Sequence, residues 1–110
     1  MSTPHYDWWS YAKGMVRRFP ELRARAGAGQ TLAAVNRREL QAVEQAVAVT
    51  RAMDTGEERL RLIRLTYWNR NNRYTLEGAA GQVYISYITA KRWHRDFIYR
   101  VAEAYGLLEA

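Results

Sequence analysis

The sequence predicts an all-α protein, a small helical domain of about five helices whose last two are joined by a short turn. Apolar residues recur at intervals of three and four along several stretches, as on one face of an α-helix, and few stretches alternate as strands do. The chain has 110 residues, enough for one compact domain. Because hydrophobic residues make up 48 % of it, we expect a packed core.

A first amphipathic helix is predicted from Tyr6 to Phe19, and its apolar face begins with an aromatic cluster. The cluster consists of Trp8, Trp9 and Tyr11. These side chains either dock on the body of the protein or form an exposed surface for a partner, such as a dimer contact. The sequence leaves both alternatives open.

Proline and glycine are expected to separate this helix from the rest of the chain. Pro20 has no backbone N–H and disfavours helical backbone in the residue before it, so the helix should end there. Residues 23–31 contain two glycines and several small side chains, which is typical of a flexible linker. We therefore expect an N-terminal aromatic helix with its linker, residues 1–30, and a helical domain, residues 31–110.

Two further helices are predicted before the C-terminal pair. One starts near Asn36, a good N-cap with Glu39 at the capping-box position, and ends around Met53. The next is predicted over residues 56–68, with Thr55 as its N-cap and acidic residues in its first turn. Its apolar residues cover a wide arc, which indicates burial against two neighbours.

The last two helices are predicted to form a helix-turn-helix at about residues 75–105. Thr75 is the expected N-cap of a short helix over residues 76–83, and Ser86 is that of a longer helix over residues 87–105. The short helix contains alanines and glycines, so the longer one can approach it closely.

The longer helix has one apolar face and one basic face. Ala90, Trp93 and Phe97 belong to a stripe of apolar residues at steps of three and four, which we expect to face the core. Gly106 is the expected left-handed C-cap. With the apolar stripe inward, the residues directed outward are Tyr87, Ile88, Lys91, Arg92 and Arg95.

Basic charge is concentrated in the same part of the chain. Residues 59–100 carry nine basic and two acidic side chains, a net +7, whereas the whole chain has a net charge of +6. So positive a segment favours a polyanion as partner. Together with the predicted helix-turn-helix, it indicates binding of double-stranded DNA, whose major groove admits one helix.

The candidate DNA-binding residues lie on the predicted motif and just before it. Arginine and lysine pair with guanine edges or phosphates, and an aliphatic side chain can contact the methyl group of thymine. The candidates on the motif are Thr75, Ser86, Tyr87, Ile88, Thr89, Lys91, Arg92 and Arg95. Arg70 and Arg73, in the loop before it, are candidate phosphate contacts. Arg59, Arg61 and Arg64 either contact phosphates or form a solvated face.

These residues also carry a family resemblance. The segment TLEGAAGQVYISYITAKRWHRDFI, which starts at Thr75, is similar to the helix-turn-helix of sigma-factor region 4, although this chain has Tyr84 where the turn usually has glycine. The segments NRRELQAVEQAV, ERLRLIRLTYW and AKRWHRDFIYRVAEAYGLL, within residues 35–110, resemble the small phage late transcription regulators of the RinA/ArpU type. The resemblance implies sequence-specific DNA binding, control of late phage genes as an activator or sigma-like factor, RNA polymerase as a further partner, and the cytoplasm of a bacterial host cell as the location.

Two other functions remain open on the sequence. A phage small terminase subunit also uses a helix-turn-helix, in order to mark DNA for packaging, and it would assemble into a homo-oligomeric ring. A helical adaptor would bind protein through Trp8 and Trp9 without touching DNA. The first alternative predicts a mass of several protomers, and the second predicts binding that is insensitive to salt.

Catalysis, metals, cofactors and membranes have little support in the sequence. The only histidines are His5 and His94, no Ser-His-Asp set can be proposed, and we expect no enzyme. Because there is no cysteine either, we expect no metal site and no cofactor, and His94 is expected at the surface or at the boundary of the core. No stretch approaches the roughly 18 apolar residues of a membrane span, and the first residues lack the pattern of a secretory signal.

Overall fold

The computed structural model describes residues 7–108, which contain five α-helices and no β-strand. The helices are α1, Trp9–Gly27; α2, Ala34–Arg51; α3, Gly56–Ile63; α4, Leu76–Val83; and α5, Tyr87–Tyr105. A π-helical turn, Arg64–Trp68, continues α3. The prediction of an all-α chain with about five helices is therefore confirmed for these residues. The predicted helix start at Tyr6 lies outside them.

Helix α1 does not end at Pro20, as the sequence predicted, but continues through it to Gly27. A proline removes the N–H that would bond the carbonyl four residues earlier, which here belongs to Val16. The indole N–H of Trp68 donates to that carbonyl oxygen at 2.7 Å. A side chain of the π-helical turn thus replaces the missing helical bond, and this tertiary contact explains why the helix can continue.

The segment predicted as a linker is correspondingly shorter. Residues 23–27 belong to α1, and the chain turns away at Gly29, whose φ is +82°. The N–H of Gln30 donates to the carbonyl of Arg25 at 3.1 Å, and Leu32 is buried in the core. A hydrogen bond near its start and a buried side chain near its end therefore fix the connection between α1 and α2.

Helix α2 is already helical at Asn36, which was predicted to cap it, and Ala33 takes the cap position without a side-chain bond. Glu39 does not close a capping box. Its carboxylate is buried against α1, where it accepts bonds from the guanidinium of Arg18 at 3.0 and 3.2 Å and from the hydroxyl of Tyr11. The prediction was wrong because tertiary partners, not the helix N-terminus, satisfy this charge.

Helices α2 and α3 meet at a close backbone approach. Helix α3 begins at Gly56 with Thr55 before it, as predicted, but the Thr55 hydroxyl accepts a bond from Arg59 at 2.8 Å instead of capping the backbone. A Cβ atom at Gly56 would lie 2.4 Å from the carbonyl oxygen of Thr50. Glycine is therefore required at this corner. The helix predicted over residues 56–68 corresponds to α3 and the π-helical turn together.

Two clusters of buried side chains hold the helices together. The main core takes residues from α1, α2, α3, the π-helical turn and the second half of α5, among them Met15, Val43, Ile63 and Ile98. A smaller core joins Leu62 of α3 to α4 and the first half of α5. Because α5 belongs to both cores, its position relative to the other helices is fixed along its length. Within residues 7–108, none of the helices combines the length and the apolar character that crossing a bilayer requires.

Candidate nucleic-acid interface

Helices α4 and α5 begin and end where the sequence predicted. The Thr75 hydroxyl accepts the N–H of Gly78 at 3.0 Å, and the Ser86 hydroxyl accepts that of Thr89 at 3.0 Å. Both predicted N-caps are therefore confirmed. Gly106 ends α5 in the left-handed conformation, with a φ of +94°, as its position after the apolar stripe indicated.

Residues 84–86 form the turn between α4 and α5, and Tyr84 closes it. Tyr84 adopts the left-handed conformation, with φ 65° and ψ 43°. Its N–H donates to the carbonyl of Gly81 at 3.3 Å, and that of Ile85 donates to Ala80 at 3.1 Å. This pattern of bonds usually has glycine at the left-handed position. Since Tyr84 is 91 % exposed, a bulky group is held outward on a strained backbone.

The aromatic residues of α5 face inward, as the apolar stripe predicted. Trp93 is 9 % exposed and belongs to the smaller core, while Phe97 is 2 % exposed and belongs to the main core. Ala79 and Ala80 of α4 are buried in the smaller core as well. The face of α5 that carries Trp93 and Phe97 is therefore occupied by the protein's own packing.

The opposite face of α5 is basic and exposed, and we call its first turns the α5 flank: Tyr87, Ile88, Lys91, Arg92 and Arg95. Tyr87 is 43 % and Ile88 70 % exposed. Arg92 and Arg95 are also exposed, and within residues 7–108 neither forms a hydrogen bond or an ion pair. The flank therefore presents two unengaged guanidinium groups next to an aliphatic side chain.

The other polar residues at the start of α5 already have partners. The ammonium of Lys91 lies 4.8 Å from the centroid of the Tyr87 ring, a cation–π contact, and the lysine is partly buried. The hydroxyl of Ser86 donates to that of Thr89 at 3.0 Å. Thr75, Ser86 and Thr89 thus serve first to build the two helix starts, although Thr75 and Ser86 remain exposed.

The arginines before the motif differ in how far they are engaged. Arg59 donates to Asp96 at 3.4 Å and lies 5.1 Å from the centroid of the Trp93 ring. Arg61 donates to a backbone carbonyl of α4 at 3.0 Å. Arg64, Arg70 and Arg73, which follow α3, are exposed and make no hydrogen bond or ion pair within the part of the chain that the structure describes. The two candidate phosphate contacts are among these three.

The aromatic cluster of α1 lies against the body of the protein. Trp9 is 6 % exposed and belongs to the main core. Trp8 packs edge-on against Tyr99, with 5.7 Å between the ring centroids. Tyr11 is 37 % exposed, but its hydroxyl donates to Glu39. Trp9 is too buried to belong to an exposed surface, so it docks on the body of the protein. A partner surface at Trp8 and Tyr11 stays a prediction.

His94 lies at the boundary of the core among aromatic side chains. Its Nε2 atom is 2.7 Å from the hydroxyl of Tyr67, and Trp9 packs edge-on against it at 6.0 Å. Burial, together with nearby Lys13 and Arg17, lowers the pKa of His94 from 6.5 to about 4. The imidazole is therefore neutral at neutral pH. Among residues 7–108, no group of three acidic or histidine side chains is arranged to hold a metal ion.

Two features with functional potential go beyond what the sequence predicted. The first is the conformation of Tyr84: the sequence showed an aromatic residue where the turn usually has glycine, but not its left-handed backbone or its exposure. The second is a groove of about 830 Å³ between α1, α2 and the π-helical turn, with Phe19, Leu60 and Trp68 at its floor. No sequence signal points to it, because its lining comes from separate elements.

Comparison of the chain with models of known protein families, with curated proteins and with solved structures finds no match. The resemblance to sigma-factor region 4 and to the RinA/ArpU type therefore stays a prediction. The features of the molecule that indicate a ligand are the α5 flank and the positive charge around it.

Proposed function

We propose that the protein binds double-stranded DNA in a sequence-dependent manner, with the first half of α5 in the major groove. The α5 flank is the observation that carries this proposal. A helix enters the groove only where one of its long sides is free of the protein's own packing, and the opposite side must hold it in place. The exposed flank and the inward Trp93 and Phe97 meet both requirements.

The charge distribution supports DNA as the ligand. Residues 59–100 have a net charge of +7, and their two acidic residues are Glu77 and Asp96. Asp96 is paired with Arg59 at 3.4 Å, so it does little to offset the unengaged arginines. Arg70 and Arg73 are exposed in the loop that precedes α4. We assign them to phosphate contacts, and Arg92, Arg95 and Ile88 to the base edges.

The biological role that we propose is transcription regulation in a phage or prophage. It rests on the resemblance of residues 35–110 to the RinA/ArpU type and of the α4–α5 pair to sigma-factor region 4. In this role RNA polymerase is a further partner, and the protein acts by binding near a promoter rather than by catalysis.

The proposal predicts that single arginines of the α5 flank contribute strongly to DNA affinity. A bound sequence is first selected from a pool of random duplexes, and affinity is then measured by fluorescence anisotropy. We expect Arg92→Ala and Arg95→Ala each to weaken binding by about 1–3 kcal/mol. Because both side chains are exposed and unengaged, the free energy of unfolding should change little. Arg23→Ala, an exposed arginine on α1, is the matched control and should bind as the wild type does.

Each alternative function has its own outcome in these measurements. If the wild type and both flank variants bind equally well, the α5 flank is not the site. DNA affinity should fall steeply as salt rises, because counterions are released on binding. Binding to a protein that is insensitive to salt, without DNA binding, would favour the helical adaptor. A ring of several protomers that selects a packaging start would favour the small terminase subunit.

A further inference from the structure

We infer that the groove between α1, α2 and the π-helical turn, called here the α1–α2 groove, is a docking site for an acidic amphipathic helix of a partner protein. None of the residues that line it belongs to α4 or α5. The inference does not depend on DNA binding: of the residues assigned to DNA contacts, Arg70 alone lies on the rim of the groove, and the two surfaces are otherwise separate.

The floor of the α1–α2 groove is apolar and closely packed. Phe19 and Trp68 lie with 5.1 Å between their ring centroids, and Leu60 is 1 % exposed below them. Pro20 and Val47 on the walls are partly buried. The volume of about 830 Å³ is within the range of pockets that hold a ligand of several apolar groups. A partner can therefore bury apolar side chains there.

The rim of the α1–α2 groove is strongly basic. It carries four arginines and one carboxylate: Arg23, Arg51, Arg64, Arg70 and Glu44. Arg51 pairs with Glu57 at 3.3 Å, but both side chains are exposed, so this pair is weak. Arg64 and Arg70 have no hydrogen-bond or ion-pair partner within residues 7–108. An apolar floor inside a basic rim complements an apolar stripe flanked by carboxylates.

The same features argue against two other occupants. The phosphates of a nucleic acid would use the arginines but would leave the floor in contact with water, and the ring of Trp68 already packs against Phe19 and Phe97. Small-molecule sites usually contain a few polar groups that orient the ligand inside the pocket. Here the charged groups are on the exposed rim. A helix with apolar residues at i, i+3, i+4 and i+7 matches both floor and rim.

The test uses three labelled peptides of equal length that are titrated with the full chain and followed by fluorescence anisotropy. The first has leucine at i, i+3, i+4 and i+7 with glutamate on both sides of this stripe. The second has lysine in place of glutamate, and the third has serine in place of leucine. We expect saturable binding of the first peptide only, with shifts in the backbone amide resonances of Ala24 and Ala48, which line the groove.

Two groove variants and two controls locate the binding. The double variant Arg23→Glu/Arg64→Glu reverses rim charges, and Ala48→Trp fills the groove from an exposed position on α2. Each is expected to weaken binding of the acidic peptide by about tenfold or more. The controls are Arg92→Ala on the α5 flank and Ala34→Trp, an exposed alanine of α2 that does not line the groove. Both should bind the peptide as the wild type does.

The two proposals fail in different ways. Ala48→Trp, which leaves every arginine in place, should keep the DNA affinity of the wild type, and Arg92→Ala should lose DNA affinity while keeping the peptide. Docking of an acidic helix would be overturned if the first peptide shows no saturable binding at millimolar concentration, or if the lysine peptide binds equally well. It would also be overturned if the groove variants weaken binding of a DNA duplex and leave peptide binding unchanged, since the groove would then contact nucleic acid.

Discussion

At the scale of single residues, Tyr84 has a backbone conformation that its residue type disfavours. A residue other than glycine in the left-handed conformation is strained by about 1–2 kcal/mol. Because Tyr84 is 91 % exposed, burial of its ring offsets little of this strain. Strain without a packing role is often found at functional sites. Tyr84 lies in the turn that leads into α5, close in sequence to the α5 flank, and we expect its ring to take part in the proposed contact with DNA.

We predict that Tyr84→Gly makes the protein more stable and weakens its DNA binding. Glycine removes the strain at φ 65° but increases the entropy of the unfolded chain, so the net gain should be about 0.5–1 kcal/mol. Urea denaturation measures this gain. Tyr84→Ala is the matched control, because alanine keeps the strain and also lacks the ring. Both variants should lose DNA affinity, and Tyr84→Gly should be the more stable of the two. Equal stability would contradict the role of strain.

Which residue roles could be predicted depends on how far away their partners are in the chain. Thr75 and Ser86 cap their helices through N–H groups three residues on, so the local pattern was sufficient. Glu39 is different, since its partners Arg18 and Tyr11 lie on another helix. A local rule assigned it to a capping box, and only the packing of α1 against α2 reveals that its buried carboxylate pairs with Arg18.

At the scale of elements, the same limit appears in α1. The rule that proline ends a helix is a statement about one missing hydrogen bond and about the backbone of the residue before it. The Val16 carbonyl that Pro20 leaves free accepts the indole N–H of Trp68, far away in the sequence. By contrast, α4 and α5 have local caps, a short turn and a continuous apolar stripe, and their bounds could be predicted to the residue.

We predict that Trp68 and Pro20 are energetically coupled. Trp68→Phe should destabilise the protein by about 1–3 kcal/mol, because the Val16 carbonyl loses its donor and packing is also lost. In a Pro20→Ala background, residue 20 regains an N–H that can bond the same carbonyl. The same tryptophan substitution should then cost about 1 kcal/mol less. A double-mutant cycle of four proteins in urea measures the difference.

A matched control separates this coupling from a general change in the core. Ile98→Val, in the same core but without a bond to Val16, should be additive with Pro20→Ala. If the tryptophan substitution is additive with Pro20→Ala as well, the indole bond does not account for the continuation of α1 through proline.

At the scale of the whole molecule, the sequence predicted the α5 flank but not the α1–α2 groove. The faces of one helix follow from its periodicity, so the inward Trp93 and the outward Arg92 were both predictable. The groove depends on the distance between α1 and α2 and on Trp68, far away in the sequence, which reaches back to α1. Periodicity within one element contains no information about such a space.

His94 connects α5 with α1 and the π-helical turn, and we expect it to make the stability of the whole fold depend on pH. Its pKa is about 4 in the folded protein and 6.5 in the unfolded chain. Between these values the unfolded chain binds the additional proton, so stability is fully present above about pH 6.5 and is lost as pH falls toward 4. From about pH 7 to about pH 5 the expected loss is ~2 kcal/mol.

Urea denaturation at several pH values between about 7 and 5 tests this expectation, and this range avoids most of the titration of carboxylates. His94→Gln is the matched control, because glutamine stays neutral and can still bond the hydroxyl of Tyr67. The variant should lose most of the pH dependence in this range. If the wild type and the variant show the same profile, then protonation of His94 does not set it. The contact between α5 and α1 would then be independent of the imidazole charge, and the source of any pH dependence would have to lie among other groups.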